Sequence, residues 1–387
     1  MKRNALIFSL IALLSACSSE PVAPSKPETP AILQATTPAT EETPEIVNLD
    51  EKFQEDLKPI WDDYFKEDYT DTRAIDVFVV TNRKSKTGNF GCTNNTYGVA
   101  LDKVTSFGIC KINVPKNHST GELTFTKDGR QSSHDYFKIL NAKSLPETTV
   151  MDYMKKTKRN PLVFVHGFNV RYEEALLRAA QITYDLKYQG PVILFSWPSG
   201  AGDGFFDEQF LTKTYESNNQ NAKASIQAFR NLMTSLANSN LKVNLVVHSM
   251  GHQVVLPGLK DLHKSVINEL VLNAPDFEAA EFLRLIDNIK DTSKRITLYC
   301  SYNDKAMTAS KTFNNNDRMG ACTYSENLDT INVGLVDNQT LGLGHGYYSS
   351  RAILSDVFQV LLGIDAEKRL FIRKSEPNST EKFYLRN

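Results

Sequence analysis

The chain has 387 residues, 41% of them hydrophobic and 10% aromatic, with 44 Lys plus Arg against 45 Asp plus Glu for a net charge of −1. That much apolar material supports one large or two ordinary folded domains and excludes wholesale disorder. The balanced charge lacks the basic footprint of a nucleic-acid binder, and the longest apolar run, at the N-terminus, is too short to span a membrane.

In chain order, Met1-Lys2-Arg3 and the apolar run 5–14 have the form of a signal peptide. The run Leu14-Ser15-Ala16-Cys17 resembles the bacterial lipobox, which implies removal of residues 1–16 and lipidation of Cys17. The rival reading is an ordinary signal peptide with an incidental cysteine. Because Ser18 rather than Asp follows the cysteine, the resemblance implies sorting to the outer membrane; a domain facing the periplasm is the expectation, with a surface-facing one left open. Several acyl chains would anchor it stably, so the membrane is an expected partner. Residues 17–55 read as a tether: prolines at 21, 24, 27, 30, 38 and 44 stand among Thr, Ala, Ser and Glu, favouring an extended spacer. The folded domain is expected over 56–387.

Strand signals come first, over 75–80, 109–114, 123–126 and 136–140. Apolar strand runs then alternate with helical periodicity: strand 161–165, helix 172–188, strand 192–195, helix 220–237, strand 243–247, helix 251–263, strand 270–272, helix 277–289, strand 296–299 and helix 347–362. Such alternation implies right-handed crossovers, so the expected class is α/β, a mostly parallel sheet with helices on both faces. Sites in such sheets form beyond the carboxyl ends of the strands. Cys92, Cys110, Cys300 and Cys322 permit two disulfides in an exported chain, with local pairing closing the shortest loops. Their spacing fits no zinc pattern, and no metal or organic cofactor is expected.

Three strand ends carry the chemistry of a nucleophilic site. In Val246-Val247-His248-Ser249-Met250-Gly251 a serine stands between a buried strand and a helix, where its hydroxyl is exposed and the Met250 N–H can face an oxyanion. The usual pattern is GxSxG; Val247 replaces the first glycine and is expected to crowd the strand against the helix. Val165-His166-Gly167-Phe168-Asn169 can supply a second donor, the Phe168 N–H, with His166 orienting the loop. Asp304 follows strand 296–299, and His345 sits in a glycine-rich loop before the last helix. A triad histidine needs the serine at one nitrogen and a carboxylate at the other, and the order Ser249, Asp304, His345 is that of α/β-hydrolases. Asp276 is the alternative acid; His252 and His263 are rival bases. The stretch Gly200-Ala201-Gly202-Asp203-Gly204 reads equally as a lid or a plain surface loop.

The runs Asp76 to Arg83, Val165 to Val170, Phe195-Ser196-Trp197-Pro198-Ser199, His248-Ser249-Met250-Gly251, Ala274-Pro275-Asp276, Leu298-Tyr299 with Asn303-Asp304, and Gly344-His345 together resemble a bacterial α/β-hydrolase family of unknown function in the esterase/lipase superfamily. The resemblance spans about residues 74 to 360. It implies the α/β-hydrolase fold, a triad of Ser249, Asp304 and His345, and oxyanion donors at Phe168 and Met250. The resulting expectation is a lipid-anchored serine hydrolase acting on an acyl ester through an acyl-enzyme. Its rivals are an acyltransferase and a non-catalytic envelope lipoprotein that keeps the fold as a binding scaffold.

Overall fold

The run Leu162-Val163-Phe164-Val165 is wholly buried, because its alternate side chains enter two different cores. Val163 and Val165 join one cluster, Leu162 and Phe164 the other, as the period of two along a strand requires. Each such side chain contributes about 1.5–3 kcal/mol relative to exposure. The computed structural model describes residues 55, 57–64, 73–125, 132–157, 159–201, 211–336 and 345–386. The chain divides into two units, Met1–Leu49 and Asp50–Asn387, and every described residue belongs to the second. The expected signal peptide, the lipidation site Cys17 and nearly all of the tether therefore lie outside the described residues, as do residues 202–210 of the glycine-rich loop and the glycines before His345.

The elements in order are α1 (Lys58–Tyr64), β1 (Ala74–Ser85), β2 (Tyr97–Asn113), β3 (Lys138–Ser144), α2 (Glu147–Lys156), β4 (Leu162–Val165), α3 (Tyr172–Asp185), β5 (Val192–Ser196), α4 (Leu211–Asn238), β6 (Val243–His248), α5 (His252–Leu259), β7 (Ile267–Asn273), α6 (Ala279–Ile289), β8 (Ser293–Cys300), α7 (Lys305–Asn314), β9 (Asp329–Asn332), α8 (Arg351–Leu361), β10 (Ile372–Lys374) and β11 (Phe383–Leu385). The strands form one sheet in the order β10-β11-β9-β8-β7-β6-β4-β5-β1-β2-β3. From β1 through β9 to β11 the neighbours pair in parallel; β2, β3 and β10 pair antiparallel. Helices α2, α4, α5 and α6 cover one face, and α3 and α8 the other. This is the α/β-hydrolase architecture.

The strand expected at 123–126 does not form: residues 122–125 are irregular, and Thr126 lies outside the described residues. Its apolar members Leu123 and Phe125 still pack on the α3/α8 core, which explains the strand-like pattern without a ladder. The helix expected at 251–263 is shorter, because a 3-10 turn precedes it and the chain leaves it at Leu259. Helix α4 starts well before the expected 220. Cys92 is joined to Cys110 and Cys300 to Cys322, the local pairing. With separations of 18 and 22 residues, each cross-link stabilises by about 3 kcal/mol through the unfolded chain. Among the described residues no helix is long and apolar enough to cross a membrane.

Candidate active site

Strand β6 ends at His248, and the chain passes at once into the 3-10 turn Ser249–Gly251 and then α5. Ser249 has φ 51°, a left-handed conformation costing a non-glycine residue about 1–3 kcal/mol and concentrated at functional sites. The turn leaves it 6% exposed at the carboxyl end of the sheet. Gly251 lets the turn close, since a Cβ there would stand 2.6 Å from the His166 carbonyl oxygen. The crowding expected at Val247 is absent: it registers between Val165 of β4 and Leu272 of β7 and packs wholly inside the core. The tight approach of helix to strand falls on Gly251.

The turn after β4 lies against this elbow. A Cβ on Gly167 would sit 2.8 Å from the Ser249 Cβ and 3.0 Å from His248 Nδ1. Among the described residues the Phe168 backbone N–H donates to no acceptor. His166 fixes the turn, stacked on Trp197 with ring centroids 5.3 Å apart, while the Trp197 Nε1–H donates to the His166 carbonyl at 2.8 Å. Burial first, then the charge of Arg83, pushes its pKa down to about 3. The neutral ring donates from Nδ1 to the Gly167 carbonyl (3.1 Å) and accepts the Ser196 hydroxyl at Nε2 (3.3 Å). His166 is thus positioned as a loop-orienting group.

On the other side, His345 Nδ1 donates to Asp304 Oδ2 at 2.7 Å. Asp304 caps α7: its Oδ1 accepts the Ala306 and Met307 N–H groups at 2.9 and 3.1 Å. One carboxylate oxygen thus fixes Asp304 to its helix, while the other orients the His345 ring through Nδ1, an arrangement in which Nε2 could take a proton from a hydroxyl. The alternative acid is committed elsewhere. Asp276 accepts from Tyr215 and Ser310 and pairs with Arg318 at 3.3 Å, though its N–H donates to the Ser249 carbonyl at 3.2 Å. His252 bonds the same carbonyl through Nδ1 at 2.7 Å, and burial lowers its pKa to about 3. His263 is exposed in the turn beyond α5.

Two side chains on which sequence reasoning placed no role complete the arrangement. His248 Nε2 donates to the His345 carbonyl at 3.3 Å, and the two imidazoles stand 4.8 Å apart. Burial, with the neighbouring His345 second, depresses the His248 pKa well below its usual value, so the ring is a neutral donor. Arg83, fully buried, donates to Ser196 Oγ (3.0 Å) and to the carbonyls of Gly98 (2.8 Å), Ser199 (2.8 Å) and Val170 (3.2 Å). Burial lowers its pKa to about 9. It clamps the ends of β1 and β5 to the loop bearing Phe168; the only sequence signal was its place in the run closing β1. Among the described residues no group of His, Cys, Asp or Glu is arranged to hold a metal ion.

The family model described as alpha/beta hydrolase of unknown function (DUF900) matches residues 142–363, more than half of the chain. The chain belongs to this family. The matched span contains Phe168, Ser249, Asp304 and His345, whereas Arg83 and the Cys92–Cys110 disulfide precede it. Family membership shows an α/β-hydrolase and leaves its substrate open. No curated protein and no solved structure matches the chain.

Proposed function

We propose that the protein is a serine hydrolase acting on carboxylic esters. The observation that carries this reading is the strained Ser249 elbow, whose preceding residue His248 stands with its ring 4.8 Å from that of His345, the histidine whose Nδ1 is held by Asp304 at 2.7 Å. Ser249 Oγ attacks the ester carbonyl as its proton passes to His345 Nε2. The developing oxyanion is held by the Phe168 and Met250 N–H groups. His345 then returns the proton to the departing alcohol, leaving an acyl-enzyme. Water, deprotonated by the same histidine, releases the acid and restores the serine. The lipobox-like run ending in Cys17 supports a lipid-anchored location in the bacterial envelope, with the domain held off the membrane by its tether.

Labelling the purified full chain with a fluorophosphonate tests the chemistry. The wild type is expected to label at Ser249, while Ser249→Ala and His345→Ala, each folded by circular dichroism, are expected to fail. A folded wild type that does not label would overturn the hydrolase reading and favour the binding-scaffold alternative. Adding short alcohols to an active enzyme separates hydrolysis from acyl transfer, because only a transferase diverts most acyl groups into new esters.

A further inference from the structure

An aromatic row leads away from the oxyanion turn. The Phe168 ring lies 5.5 Å from that of Tyr215 on α4, and the Tyr215 ring lies 4.7 Å from that of Phe313 near the end of α7. Phe168 and Tyr215 are partly buried against the α4/α5 core, while Phe313 is 42% exposed. Tyr215, at the centre of the row, is held by hydrogen bonds. The Tyr215 hydroxyl donates to Asp276 Oδ2 at 2.9 Å and accepts from Asn314 Nδ2 at 2.9 Å, and Asp276 is locked by Arg318 and by its own N–H on the Ser249 carbonyl. That network gives the Asp276 carboxylate a task outside the triad. Rigid aromatic rings with a fixed polar end offer apolar contact at small entropic cost.

The topology says which half of an ester meets this row. His345, which must hand its proton to the leaving alcohol, contacts His248 and Tyr347 on the α3/α8 side of the sheet. Phe168, Tyr215 and Phe313 stand on the α4 side. With the carbonyl oxygen at the Phe168 N–H, the alcohol points toward His345 and the acyl chain toward the rings. We propose, resting on the serine-hydrolase reading, that Phe168, Tyr215 and Phe313 form the acyl-binding wall and select esters of extended apolar acyl chains over acetyl esters.

The test compares p-nitrophenyl acetate, butyrate and octanoate on the full chain as wild type, as Phe313→Ala and as Leu283→Ala, an exposed apolar control on α6. The wild-type kcat/KM is expected to rise about tenfold or more from acetate to octanoate. Phe313→Ala is expected to lower the octanoate-to-acetate ratio about fivefold, through KM, while Leu283→Ala keeps the wild-type ratio. A wild type indifferent to chain length, or a Phe313→Ala ratio equal to that of the wild type, overturns the proposal. Calorimetric binding of octanoate to Ser249→Ala and to Ser249→Ala with Phe313→Ala separates this from the catalytic reading, since it needs no turnover. Weaker binding in the double variant supports the wall even in a protein that hydrolyses nothing; equal binding overturns it.

Discussion

Gly167→Ala probes the contact on which the candidate site depends. The added methyl would stand 2.8 Å from the Ser249 Cβ and 3.1 Å from the His248 carbonyl oxygen, on or next to backbone, and 3.0 Å from the buried ring nitrogen Nδ1 of His248. Ordinary contact between such atoms needs about 3.5–4 Å, so the turn and the elbow must separate by about 1 Å. The Phe168 N–H is carried on the next residue and moves with the turn. Loss of one oxyanion donor costs about 100- to 1000-fold in kcat, and a 1 Å misplacement about 100-fold, so a drop of about 100-fold or more is expected. The stability cost is that of an overpacked site, about 1–3 kcal/mol, which a domain with two disulfides should survive. The assay is the second-order rate of fluorophosphonate labelling alongside the melting temperature. A Gly167→Ala protein that is folded and labels within threefold of the wild type would refute both the contact and the assignment of Phe168 as a donor.

Asp304→Asn is expected to lower kcat about 10⁴-fold by presenting the wrong tautomer partner, whereas Asp276→Asn should chiefly destabilise by leaving Arg318 buried without its partner; steady-state kinetics and melting curves on both variants check this, and the reverse pattern would transfer the acid to Asp276. His248→Leu should lower the labelling rate about tenfold or more, and His248→Gln, which keeps a donor for the His345 carbonyl, should restore most of it. Glu269 is buried, and that burial raises its carboxyl from 4.5 to about 7, only partly offset by Arg295, whose Nε lies 3.9 Å away. Between those values the folded chain keeps a proton that the unfolded chain has released, so stability falls as pH rises through this window, by up to about 3 kcal/mol. Chemical denaturation at pH 5 and pH 8 should show that loss in the wild type and not in Glu269→Gln. Removing Cys300–Cys322, which ties the end of β8 beside the Asp304 turn, should reduce labelling more than removing Cys92–Cys110, though each lowers stability by about 2–4 kcal/mol.

The parallel core was legible because strands buried on both faces read as unbroken apolar runs, as in Leu162–Val165 and Val192–Ser196. The shorter pieces were not. Asp329–Asn332 is four residues long and polar at both ends, and Lys305–Asn314 owes its start to the Asp304 cap rather than to a strong apolar stripe. At the site, the candidates proposed to act through a side chain at a strand end, Ser249, Asp304 and His345, could be named from their strand-end motifs and chain order. Residues that act by holding other backbone segments could not. Arg83 has acceptors at positions 98, 170, 196 and 199, and Tyr215 meets Asp276 across 61 positions of chain, so no local pattern encodes either contact.

Val247 and Gly251 show what the serine motif encodes physically. A glycine is required only where its absent Cβ makes room for something. At Gly251 that something is the His166 carbonyl oxygen, 2.6 Å from where a Cβ would be, which brings the turn after β4 down onto the helix start. At position 247 the side chain enters the sheet's interior beside Val165 and Leu272, where a branched apolar residue fills volume without reaching the turn. Val247→Gly should therefore destabilise the chain by about 2–4 kcal/mol through a lost core side chain and added backbone freedom, leaving labelling of the folded fraction intact. Gly251→Ala, an equally small change, should instead abolish labelling by lifting Phe168 from the elbow. If both variants lost stability and labelling in the same proportion, the second glycine would carry no special role in the oxyanion geometry.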